Sequence, residues 1–123
     1  MFEALQVPGV LIFRVDSPML FANAAKVKEQ LNKHIEEQVP AVNLVILDLY
    51  SSPLLDVTAA DMIRDLIMDL SEGGIQLRLA NTTGQVRDLL RKAGLVEKFG
   101  HLEATDTIAT ILDEWQAKQN KND

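Results

Sequence analysis

Two short polar segments carry the residue types that could do chemistry in this chain. The first is Leu54-Leu55-Asp56-Val57-Thr58-Ala59-Ala60-Asp61, which leads from a proline-containing turn into the most regular helical stretch. Asp56 and Thr58 fall where a helix should start, at unpaired backbone N–H groups and a positive dipole end. Such an end suits an anion, and it would tolerate a phosphate on Thr58. Thr58 with Asp61 three residues on also has capping-box spacing, although Asp is shorter than the preferred Glu. Two readings of Asp56, Val57, Thr58 and Ala59 stay open: residues that only start a helix, or an interaction and anion-binding turn. The second segment is Asn81-Thr82-Thr83-Gly84, ahead of Gln85-Val86-Arg87. It follows a strand and precedes a helix, so in a parallel sheet it emerges at the same end as Asp56–Thr58. Ligands gather at that end of open α/β sheets, but Asn, Thr and Gly are also ordinary turn and cap residues.

Nothing else in the sequence assembles a catalytic set. No G-x-x-x-x-G-K-[ST] phosphate loop, G-x-G-x-x-G turn or G-x-S-x-G elbow occurs. His34 and His101 lack the spacing of paired metal ligands. With 0 Cys, thiolate metal sites, disulfides and cysteine nucleophiles are excluded. Asp48 sits inside its strand, without the acidic pair a phospho-aspartate receiver needs. The expectation is therefore no enzyme activity, no cofactor and no metal. Lys and Arg number 12 against 18 Asp and Glu, a net charge of −6, which argues against nucleic acid as a partner.

These segments have to be positioned by a single domain, since 123 residues is near the commonest domain size. Pro8-Gly9 between two apolar stretches predicts a hairpin, with Phe2, Leu5 and Val7 before it and Val10 to Val15 after it. A short extended piece, Met19 to Ala22, follows. Ala24, Val27, Leu31 and Ile35 then form one helical stripe, with Asn23 as its cap. Val42 to Leu49 is a strand whose unbroken Leu44-Val45-Ile46-Leu47 run suits burial on both faces. A helix follows from Asp56 to Gly73, then a strand over Ile75 to Ala80, then a short helix through Val86, Leu89-Leu90 and Ala93. Leu95 to Glu103 has room for a short edge strand, and Thr105 is placed to cap a last helix carrying Ile108, Ile111-Leu112 and Trp115. Residues 1–117 form the domain, and the polar residues 118–123 a disordered C-terminal tail. The fold class is α/β: a mostly parallel mixed sheet, an N-terminal antiparallel hairpin and about four helices. No run approaches the roughly 18 apolar residues of a membrane span, and no signal peptide opens the chain.

Three ordered blocks, VPGVLIFRVDSPMLFANA, VILDLYSSPLLDVTAADMI and GIQLRLANTTGQVRDLLRKAGL, resemble the STAS domain of sulfate permease (SulP) family anion transporters. The resemblance runs from about Val7 to the last helix. It implies a STAS-like mixed sheet and a non-catalytic regulatory and interaction domain of a secondary transporter of sulfate, bicarbonate or a related anion. Its implied partners are the transmembrane domain of the same transporter chain, a second copy in a full-length homodimer, and a regulatory protein. The implied location is the cytoplasmic side of the inner membrane, with the isolated domain soluble. The Asp56-x-Thr58 turn is shared with the anti-sigma-factor antagonists, where the residue matching Thr58 is phosphorylated by a partner kinase. A free-standing switch phosphorylated at Thr58 is therefore the alternative, although the glycine usual after that position is Ala59 here. For either reading, Leu54, Leu55 and the Phe21 segment are the expected exposed apolar contacts.

Overall fold

The computed structural model describes residues 7–16 and 21–121, with the side chains of Phe21 and Ala22 left out. Three strands form a parallel sheet in the order β1 (Val10–Arg14), β2 (Leu44–Asp48), β3 (Gln76–Ala80). Their register aligns Arg14, Asp48 and Ala80 at one end, so the loops after all three strands leave from the same edge. Gly9 at φ 83 turns the chain into β1, and Val10 N–H closes that turn on the Val7 carbonyl at 3.0 Å. The strand expected before this turn lies outside the described residues, apart from Val7.

Five helices complete the described chain: α1 (Phe21–Glu37), α2 (Val57–Glu72), α3 (Gly84–Lys92), α4 (Val96–Phe99) and α5 (Ile108–Lys121). The apolar stripe of α1 packs Ala24, Val27 and Leu31 into one core, together with Ile63, Leu66 and Leu70 of α2. Leu11, Val45, Leu47, Leu77 and Leu79 meet them from one face of the sheet. On the other face α5 lays Ile111 and Leu112 over Val10, Ile12, Leu44, Ile46 and Ala80, with Trp115 at the margin. Leu44 through Leu47 are thus sealed on both sides, each 0% exposed, as their unbroken apolar run requires. Burying each of these side chains is worth roughly 1.5–3 kcal/mol.

Several expected boundaries move. Phe21 and Ala22 are helical rather than extended, which puts Asn23 inside α1 instead of at its cap. The alanines at 22, 24 and 25 favour helix strongly enough to carry it through that asparagine. Leu95 to Glu103 forms no strand: Leu95 and Phe99, four residues apart and both buried, wind one helical turn that Gly100 ends at φ 74. The cap of α5 is Thr107 rather than Thr105, because Thr107 Oγ1 accepts the Thr110 N–H at 3.2 Å. The helix continues to Lys121, past the start of the expected tail at residue 118.

Candidate functional site

Asp48 ends β2 and is 0% exposed, so its carboxylate must find partners inside the fold. Arg14 Nε, from the neighbouring strand, donates to Oδ2 at 3.2 Å. Tyr50 N–H and Asn81 Nδ2 both donate to Oδ1, at 3.0 and 2.9 Å. Asn81 reaches it from a left-handed backbone, φ 59, which asparagine tolerates better than most residues. One buried anion therefore ties together the C-terminal ends of all three strands. Sequence reading missed this role, and its only signal was a charged residue closing an otherwise apolar strand.

Beyond Asp48 the chain turns outward. Tyr50 is 73% exposed, Leu54 52% and Val57 65%, while Leu55 between them is 3% exposed. The expectation of an exposed Leu55 is thus corrected: its side chain packs into the core beneath α2. Leu54 is outside as expected, and the side chain of Phe21 is outside the described part of the structure. Asp56 caps α2 from an extended backbone, accepting the Ala59 N–H on Oδ1 at 2.8 Å. Thr58 is exposed in the first turn of the helix and is not its cap. Asp61 does not reach back to make a capping box; it takes Arg64 Nη1 at 3.0 Å one turn on. With Asp56 as the cap, Asp61 lies two residues beyond the N3 position that a capping box uses, and its carboxylate meets the nearer cation instead.

The second predicted segment lies directly beside the first. Thr83 caps α3, accepting the Val86 N–H at 3.3 Å, and its hydroxyl donates to the Pro53 carbonyl at 2.7 Å. Thr82 is buried, and both its carbonyl and its hydroxyl accept from Arg87 Nη1. Gln85 pairs with the backbone of Leu55 on both sides, accepting its N–H and donating to its carbonyl, each at 3.1 Å. The expected common end is therefore real: both segments leave the sheet there, and Thr83 and Gln85 bond to Pro53 and Leu55 just ahead of Asp56.

A second buried polar cluster sits against α5. Arg78 lies on the α5 face of β3 and is 4% exposed, donating to Glu114 Oε2 at 2.9 Å and lying 3.7 Å from Asp106. Asp106 also takes His101 Nδ1 at 2.8 Å and the Glu103 N–H at 2.9 Å. The hydrogen bond from Arg78 holds the Glu114 carboxyl below its usual range, against a smaller opposing effect of burial. The other histidine, His34, stands edge-on to Phe13 with ring centres 5.5 Å apart. No group of three or more metal-ligating side chains occurs among the described residues.

The arrangement is a sheet end tied together by one buried carboxylate, with exposed apolar side chains around it. Comparison with known proteins gives it a family. The model of the STAS domain matches residues 1–111. The chain belongs to the STAS domain family. A probable sulfate transporter of Mycobacterium tuberculosis is 28% identical over 116 residues, covering 94% of this chain and 21% of that protein. Sulfate transporter 1.1 of Arabidopsis thaliana is 30% identical over 129 residues, covering 95% and 20%. This STAS chain thus spans about a fifth of the length of the curated relatives it matches. The STAS domain of a SulP transporter from Vibrio cholerae superposes with a TM-score of 0.66 at 20% identity, covering 91% of this chain and 88% of that one. The mixed α/β architecture and the resemblance to transporter STAS domains both hold. No helix among the described residues is long and apolar enough to cross a membrane.

Proposed function

We propose that this STAS domain is a non-catalytic regulatory and interaction module that works as part of a SulP-type anion transporter, on the cytoplasmic side of the membrane. The observation that carries the reading is the match along nearly the whole chain to sulfate transporters of which it forms about a fifth. The surface it offers is the end of the sheet where Tyr50, Leu54 and Val57 stand exposed around the Asp56–Ala59 turn. Its partner is the transmembrane part of the same chain, in a transporter that pairs as a homodimer, and a further regulatory protein would use the same turn. Docking would bias transport only through contacts that differ between states of the cycle. With a net charge of −6, attraction to an anionic leaflet is weak, so docking is to protein.

The reading frame containing residues 1–123 is expected to encode several apolar spans of about 20 residues. In cells without their own sulfate uptake, Val57→Glu in that full polypeptide is expected to lower uptake severalfold at equal protein level. A frame without such spans, or uptake indifferent to deletion of the whole domain, overturns the proposal.

A second reading keeps Thr58 as a phosphorylation acceptor, favoured by its exposure in the first turn of α2. There a phosphate adds about −1.5 to −2 charge. It would meet the helix dipole favourably but sit beside the carboxylate of Asp56, which already holds the Ala59 N–H. Incubation with a switch kinase and mass mapping separates the readings, because an unmodified Thr58 removes the second.

A further inference from the structure

The loop between β2 and α2 is held in part by a side chain that belongs to neither. Leu55 has a buried backbone in a segment whose neighbours, Leu54 and Val57, are exposed. Its N–H goes to Gln85 Oε1 and its carbonyl receives Gln85 Nε2, both at 3.1 Å. A carboxamide carries the same donor and acceptor as a peptide group, so Gln85 closes on Leu55 as an adjacent strand would. Thr83 adds a third bond from the same segment, to the Pro53 carbonyl at 2.7 Å. All three bonds come from the first residues of α3 and its cap, which are themselves fixed by the buried Val86 and Leu90.

We infer that Gln85 is the positioning residue of the exposed face: it holds Leu55 inward and thereby sets Leu54 and Val57 outward. The inference rests on reading that face as the interaction surface. Leu55 is a single β-bridge residue rather than part of a strand, and the two bonds from Gln85 add to that bridge in fixing the in–out alternation over Leu54, Leu55 and Val57. Gln85 supplies a two-bond geometry that shorter or singly functional side chains cannot. Asparagine is one methylene short. Glutamate keeps an acceptor but, when ionised, turns a carboxylate oxygen toward the Leu55 carbonyl. Once protonated it regains an O–H donor and can restore the cyclic pair.

That chemistry supplies the test. Amide exchange followed by NMR on the whole domain is expected to show Leu55 N–H exchanging roughly tenfold faster in Gln85→Ala, relative to Leu47 in β2. Backbone shifts should move at Leu54 and Val57 as well. In Gln85→Glu the acceleration should be present at pH 7 and shrink, against the native protein at the same pH, as pH falls through about 4. Leu55 exchange unchanged in Gln85→Ala overturns the inference, as does a pH-independent difference in Gln85→Glu, which measures the pair even if the alanine variant fails to fold. Failure of the docking reading would appear as transport indifferent to Val57→Glu and would leave this exchange pattern untouched.

Discussion

Two loops leave the same end of the sheet and are built in opposite ways. The Asn81–Thr83 loop turns its polar groups inward: to Asp48, to Arg87, to Pro53 and, through Asn81 N–H, to the Asp106 carbonyl at 2.8 Å. The loop from Tyr50 to Asp56 turns Tyr50 and Leu54 outward and is anchored in part by Thr83 and by Gln85 of α3. Holding and presenting are thus assigned to different residues. Such a division lets a surface vary without unfolding its support, because buried bonds carry stability while exposed side chains contribute little.

Breaking the holding side at its centre should have the largest effect. Asp48→Ala removes the buried acceptor shared by Arg14, Tyr50 N–H and Asn81, and with it the bonds that join the ends of the three strands. A loss of about 3 kcal/mol in denaturant unfolding is expected. A near-neutral result would mean that the strand ends are held by apolar packing alone. Thr83→Ala loses both a cap and the Pro53 bond, so about 1–2 kcal/mol should disappear from the same measurement.

The contrast sharpens within the presenting loop itself. Asp56→Ala should cost about 1 kcal/mol, because Asp56 caps α2. Thr58→Ala should stay within about 0.5 kcal/mol of the native protein, because its side chain is exposed and caps nothing. Equal costs at the two positions, read from thermal unfolding, would reinstate Thr58 as the cap.

The smallest effect lies away from both loops. Arg78 holds Glu114 below the usual carboxyl value of 4.5, so the folded state binds this proton less readily than the unfolded chain. The stability this contributes is complete above that value and is lost as pH falls through the lower, folded one. Glu114→Gln should flatten the acid limb of stability slightly, since Glu114 is partly exposed and its pairing is screened by solvent. An acid limb identical to the native one would show that Arg78 gains nothing from Glu114.

Much of this was legible before any coordinates. The unbroken apolar run Leu44–Leu47 placed β2, alternation placed β3, the three-to-four-residue stripe placed α2 and Gly73 its end, because burial in these elements follows local sequence. The two polar segments leave one end of the sheet, as parallel strands require. What failed was local in a different sense. Leu55 looked no different from Leu54, and Thr58 looked as good a cap as Asp56. Which of each pair turns inward depends on Gln85 and on the entry angle of α2, thirty residues apart in one case and a matter of backbone dihedrals in the other.

The linear chain therefore determined the class of protein: one acidic α/β domain, with blocks resembling transporter STAS domains and a turn at the start of its best helix. Those properties come from composition, periodicity and ordered motifs, which need no knowledge of distant contacts. The tertiary structure decided which residues hold and which present. Asp48 became a hub, Arg78 a buried cation and Gln85 a two-bond partner of the Leu55 backbone, because each meets partners about 30 residues or more away. A polar side chain states what bonds it can make; only the folded sheet states which groups lie within reach to make them.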